Sequence, residues 1–144
     1  MKISAKSRYA LAALIYMARN CKANETITVL SLSEKLGISK IYLEQVFSLL
    51  RRGNVVTSTK GAQGGYRLSR SPGEITARDV FAAIETSLFE KTEPTVPKTN
   101  DGIELAMNEA VFDVLDVALS DVLSAISLEE IVAKMPKDEY MYYL

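Results

Sequence analysis

Apolar positions recur at helical spacing through the first half of the chain. Leu11, Leu14, Ile15 and Ala18 follow an i, i+3, i+4, i+7 pattern and predict an amphipathic helix over Ser7–Asn20. After the polar stretch Lys22–Thr26, Ile27–Val29 reads as a short strand, and Ser31 is placed to cap a brief helix over Leu32–Leu36 that stops at Gly37. Ser39 then caps a third helix, in which Leu43, Val46, Phe47 and Leu50 form one apolar stripe before Gly53 ends it. Two short helices joined by Leu36-Gly37-Ile38-Ser39 have the connection of a helix-turn-helix, the glycine accepting the left-handed conformation that turns the chain. The outward face of the second carries Lys40, Tyr42, Glu44, Gln45, Ser48 and Arg51, donors and acceptors that suit base edges and phosphates. Any exposed helix face is polar, however, so this face alone does not decide the matter.

Beyond Gly53 the β-branched Val55, Val56 and Thr57 start a strand. Lys60–Gly65 makes a glycine-rich turn, and Tyr66, Arg67 and Leu68 return as a second strand. A hairpin in this place is the wing of a winged helix. Its tip, Lys60, Gly61, Gln63, Gly64 and Gly65, could carry backbone amides up to a phosphate or into a minor groove, or be an ordinary glycine turn. Thr76 and Asp79 have the spacing of a capping box that opens a fourth helix, with Val80, Ala83, Ile84 and Leu88 on one side. Phe89–Gly102, polar and with two prolines, reads as a linker.

The longest predicted helix comes next. Ile103–Ser124 holds 22 residues without Gly or Pro, about 33 Å of helix. One stripe, Met107, Val111, Val114, Ala118 and Val122, lies beside a second, Phe112, Leu115, Leu119 and Leu123. That surface is wider than one neighbouring face would bury, so a partner helix is expected, most simply from a second copy of the chain, with the first stripe as its interface. Asp113, Asp116 and Asp121 keep the remaining face wet. Ser127 with Glu130 starts a short helix that Pro136 ends, and the aromatic tail Tyr140–Leu144 is expected to dock on a surface. The fold class is therefore mainly α, a winged helix-turn-helix domain with a β-hairpin wing plus a long C-terminal dimerisation helix. The divisions are a DNA-binding domain over 1–88, a linker over 89–102, and the dimerisation helix, short helix and tail over 103–144.

Composition narrows the function classes. With 144 residues, 48% of them apolar and 24% charged, the chain can bury the core of one domain with an appendage. Its longest apolar run, Tyr9–Met17, has nine residues, about half of a membrane span. No signal-peptide pattern opens the chain, so a cytoplasmic protein with no membrane partner is expected. There is no histidine and one cysteine, Cys21. A Ser–His or Cys–His nucleophile pair is thereby excluded, and one chain cannot supply an ordinary zinc or iron–sulfur ligand set. Neither a metal nor another cofactor is expected. A carboxylate-based enzyme would need paired acids facing a pocket, whereas the acids fall mostly on exposed helix faces, so no enzyme is expected.

The charge is unevenly spread. Residues 1–80 hold 13 basic against 5 acidic side chains, a net +8, and residues 81–144 hold 4 against 13, a net −9. Such a division suits a polyanion-binding half and a half kept off the polyanion, or two faces that attract one another within the fold.

Three stretches carry a family resemblance: the opening Met-Lys-Ile-Ser-Ala-Lys-Ser-Arg-Tyr-Ala-Leu, the run Tyr42-Leu43-Glu44-Gln45, and the wing Lys60-Gly61-Ala62-Gln63-Gly64-Gly65-Tyr66-Arg67-Leu68. Together they resemble the Rrf-two family of bacterial winged-helix transcription regulators over nearly the whole chain. The resemblance implies a homodimeric repressor on double-stranded DNA with a two-fold symmetric operator. It puts Tyr42, Glu44 and Gln45 in the major groove, Lys60, Gly61 and Gln63 near the minor groove, and Lys6 and Arg8 on phosphates. Ser39, Lys40, Gly64, Gly65 and Arg67 complete the candidate DNA-binding set. Lys40 and Ile41 stand where small polar residues are common in the family. Many members sense iron, nitric oxide or redox state through an iron–sulfur cluster held by three cysteines in the loop before the long helix; Phe89–Gly102 has none. The Lys-Ile-Ser opening and the tail Asp138-Glu139-Tyr140-Met141-Tyr142-Tyr143-Leu144 are similar to those of cluster-free repressors of cysteine metabolism, which implies control of sulfur and cysteine genes and cysteine synthase as a partner. The alternative is a winged helix acting as a protein-interaction module with such an enzyme. Cys21 is either a redox-responsive thiol, favoured by Arg19 and Lys22 beside it, or an inert residue at a helix end.

Overall fold

Hydroxyl side chains start five of the helices of the computed structural model, which describes residues 2–62, 64–97 and 102–137. Ser4 caps α1 (Ala5–Asn20), Thr28 caps α2 (Val29–Leu36) and Ser39 caps α3 (Lys40–Arg52). The hairpin strands β1 (Val56–Thr59) and β2 (Gly65–Leu68) follow. Thr76 caps α4 (Ala77–Ile84), where both halves of the expected capping box with Asp79 are made. Ser127 caps α7 (Leu128–Ala133), accepting from the Glu130 N–H at 3.1 Å. Between them α5 (Ile103–Met107), a π turn (Asn108–Phe112) and α6 (Asp113–Ser124) run on as one helical stretch over the predicted 22 residues.

Four features differ from the sequence reading. Helix α1 begins at Ala5, and Ser7 lies buried in its first turn. Thr28, rather than Ser31, caps α2: the Ser31 N–H donates to Thr28 Oγ1 at 3.0 Å. The expected strand Ile27–Val29 shrinks to a single bridge between Ile27 and Tyr66, because Val29 is drawn into the helix and buried. Leu88 falls outside α4, which ends when Glu85 turns away.

That turn has a physical cause. Glu85 Oε1 accepts from the Ser4 N–H at 3.0 Å and from the Ser7 hydroxyl at 2.8 Å, which ties the end of α4 to the start of α1. Hydrogen bonding from Ser4 first, then from Ser7, holds the Glu85 carboxyl below its ordinary range. A carboxyl lowered in the folded state stabilises it above the unfolded pKa, and the gain is lost as pH falls through the folded value. Glu85→Gln is therefore expected to lower the urea midpoint at neutral pH, with the gap from wild type closing as the medium is acidified below the ordinary carboxylate range, about pH 4. A gap that stays constant into acid would show that the Glu85 charge contributes nothing.

The core joins α1, α3, α4 and α7. Leu14, Met17, Leu32, Leu43, Val46, Phe47, Leu50, Ile75, Val80 and Leu128 are all fully buried. Leu128 comes from beyond the long helix. Its segment returns to the start of α4, where the Ala77 N–H donates to Ile126 O at 2.8 Å and the Leu128 N–H to Ile75 O at 2.9 Å. The tail Tyr140–Leu144 lies outside the described residues.

Candidate nucleic-acid interface

Burial fixes the rotation of α3. Leu43, Val46, Phe47 and Leu50 all point inward, which leaves Lys40, Ile41, Glu44, Gln45, Arg51 and Arg52 exposed. Gly37, at φ +67°, makes the left-handed step between α2 and α3. Ser39 Oγ accepts from the Tyr42 N–H at 3.4 Å and so sits at the head of the helix. Lys40 and Glu44 form an exposed ion pair at 3.7 Å, one turn apart. Such a pair contributes about 0.3–0.5 kcal/mol, so a phosphate or a base edge can displace it.

Tyr42 is held rather than free. It is half-buried, and its ring meets Tyr9 edge-on, with centroids 5.0 Å apart and planes at 88°. Tyr9 thereby brings the first turns of α1, with half-buried Lys6 and exposed Arg8, next to α3. Sequence reasoning missed Tyr9 because it opens an apolar run, and no local signal marks an aromatic that pairs across helices. On the other side, Phe47 lies 4.9 Å from Tyr66 and joins α3 to the wing.

The wing pairs antiparallel from Val56 opposite Leu68 to Thr59 opposite Gly65. Its glycines answer to crowding. A Cβ on Gly65 would lie 2.6 Å from Ile27 O, and one on Gly64 would run into the Thr59 carbonyl oxygen. The Gly64 N–H closes the tip onto Gly61 O at 2.9 Å. Lys60 and Gly61 are exposed there; Gln63 lies outside the described residues. Arg67 is a brace: its Nε donates to Thr57 Oγ1 at 3.0 Å and its Nη1 to Asn24 Oδ1 at 2.9 Å, fastening β2 to the turn after α1.

The long helix stands out from the body. Val111, Val114 and Val122 are 45–59% exposed, and Ala118 is exposed as well, whereas Met107 is half-buried. Ile103, Leu105 and Val117, absent from both expected stripes, extend the apolar surface, as do Phe112 and Leu115. Helix α4 holds the far end of α6 through Arg78, whose Nε donates to Ser120 Oγ at 2.8 Å while its guanidinium lies 4.4 Å over the Phe89 ring. Glu104 accepts from the Thr95 and Val96 N–H groups at 3.1 and 3.2 Å and folds the preceding loop onto α5.

Cys21 caps α1 and lines a cavity of about 280 Å³ with Met17, Asn24, Arg67 and Arg70. Burial first, and then the Glu25 carboxylate, push its thiol up. The thiolate stabilisation expected of Arg19 and Lys22 therefore does not prevail, because both are exposed to solvent that screens them.

Residues 3–134 match the Rrf2 family, described as an iron-dependent transcriptional regulator. The transcriptional regulator IscR of Xenorhabdus nematophila is 33% identical over 132 residues, 92% of this chain and 79% of that one. Among solved structures, CymR, described as the global cysteine regulator of B. subtilis, superposes with a TM-score of 0.70 at 29% identity, covering 94% of this chain and 99% of that one. IscR of T. potens superposes at 0.69 with 30% identity, covering 99% and 97%. These proteins are regulators, not enzymes. The iron of the family description does not fit the donors of this chain: it has no histidine and one cysteine, and among the described residues no group of three or more His, Cys, Asp or Glu side chains is placed to hold a metal ion. Among the described residues no helix is long and apolar enough to cross a membrane.

Proposed function

As the chain belongs to the Rrf2 family of DNA-binding transcription regulators, we propose that it works as a homodimer on a two-fold symmetric operator and represses genes of cysteine and sulfur metabolism. The observation that carries the dimer is the run of exposed apolar side chains Val111, Val114, Ala118 and Val122 on the long helix. In this reading α3 enters the major groove, where Gln45 can take adenine in a bidentate way and Glu44 can accept from cytosine, with Tyr42 braced beside them. Lys6, Arg8, Lys40 and Lys60 supply salt-dependent affinity for phosphates. The likeness to the B. subtilis cysteine regulator supports the choice of regulon. Cysteine synthase is the partner to test, a proposal that rests on the family resemblance of the opening and the tail.

The experiment is to incubate the purified protein with sheared DNA of its source genome at near-physiological salt and to sequence the bound fragments. A two-fold symmetric site upstream of sulfur or cysteine genes is expected. Sites elsewhere would discard the cysteine assignment. No enrichment, with or without cysteine synthase, would favour a protein-interaction module in which the winged helix binds an enzyme.

A further inference from the structure

We infer that Ile41 reads sequence, its side chain recognising the 5-methyl group of a thymine in each half-site. The inference rests on the DNA reading above. Ile41 is the second residue of α3, in the turn of a reading helix that meets base edges in the major groove. It is 70% exposed, more than any other large apolar side chain among the described residues. Folding gains little from it. The inward face of α3 is complete with Leu43, Val46, Phe47 and Leu50, and a β-branched residue at an exposed helix position lowers helix propensity.

Single exposed apolar residues are ordinary, so the surroundings decide. Leu30 is also exposed, on α2, and the other large apolar residues that are at least half exposed lie on the long helix, where a second copy covers them in the reading above. Ile41 instead lies among Lys40, Glu44 and Gln45, the exposed polar groups at the head of α3. A second copy of the chain docked there would have to bury Lys40 and Glu44. Duplex DNA presents phosphates to Lys40 and to the net-positive half of the chain, and its major groove offers an apolar knob of the right size, the thymine methyl. Gln45 sits one helical turn beyond Ile41, on the same face. The rise of that turn, about 6 Å, spans roughly two base-pair steps of 3.4 Å. Ile41 and Gln45 together therefore ask for a thymine and an adenine close by in each half-site.

The test uses the operator recovered from the genomic selection, with each thymine replaced in turn by deoxyuridine, which removes the methyl and nothing else. Wild-type protein is expected to lose about four-fold in affinity at one thymine position per half-site, the size of one buried methyl. Ile41→Ala is expected to bind the unmodified operator more weakly and to be indifferent to that replacement, while keeping its responses elsewhere; Ile41→Val keeps the sensitivity. Both variants alter an exposed side chain, so both stay folded, and alanine, the better helix former, does not lower the thermal melt. Identical deoxyuridine profiles for wild type and Ile41→Ala overturn the role of Ile41 and leave the DNA reading standing. A genomic selection that yields no specific site overturns the DNA reading and the inference with it.

Discussion

A chain carrying Val114→Glu and Ala118→Glu is expected to run as a folded monomer in light scattering and to lose about 10²- to 10⁴-fold in affinity for a two-half-site operator. Both side chains are exposed, so the fold of one chain does not depend on them, and glutamate is a better helix former than valine. The cost falls on association. Residues 103–124 already carry Glu104, Glu109, Asp113, Asp116 and Asp121, and there is no Lys or Arg between Lys98 and Lys134. Two more carboxylates per chain, buried against a symmetry-related copy of themselves, meet no cation. Binding to a single half-site should persist, since α3 and the wing are untouched; the loss comes from the missing second arm. A surviving dimer would move the interface off this stripe.

How much could be read from the sequence follows from how local each cause is. The cap at Ser39, the stop at Gly53 and the stripe Leu43, Val46, Phe47, Leu50 are settled within α3, and the structure has all of them. The 22-residue helix is equally local, because nothing within 103–124 breaks it. Its π turn is different: one extra residue per turn leaves no mark in composition. Elsewhere the deciding partner is far along the chain. Thr28 and Ser31 are both good caps, and the bridge of Ile27 to Tyr66 decides between them by fixing where the extended chain stops. Leu88 has helical spacing, yet α4 ends because Glu85 reaches Ser4 and Ser7. The bonds of Arg67 to Thr57 and Asn24 are likewise set by the strand register and the turn after α1, not by its own neighbours in sequence. Arg19 and Lys22 neighbour Cys21 in sequence, but burial and Glu25 set its acidity.

Leu128→Ala is expected to destabilise the winged-helix body by about 2–5 kcal/mol, read as a drop in the denaturant midpoint, although the residue lies after the long helix. Leu128 is fully buried in the core that includes Leu14, Phe47 and Ile75, and truncation leaves a cavity there. The same loss is expected in the Val114→Glu, Ala118→Glu background, which separates core packing from any change in association; an unchanged midpoint would place α7 outside the folding unit. For the same reason a chain cut after Ser124 is expected not to fold, since it loses Leu128, the bridge of Thr76 to Ser127 and the bond from the Ala77 N–H to Ile126 O. The long helix is thus an excursion between two parts of one core, with Arg78 fastening Ser120 near its return. A helix anchored in this way cannot swing freely about one hinge. Contacts run from it through Arg78 to α4, and from Glu85 at the end of α4 to the first turn of α1. Tyr9 opens the next turn of α1 and packs on Tyr42 of α3, so in the proposed function the dimer interface and the base-reading surface are joined by contacts that single substitutions at Arg78, Glu85 and Tyr9 can cut one at a time.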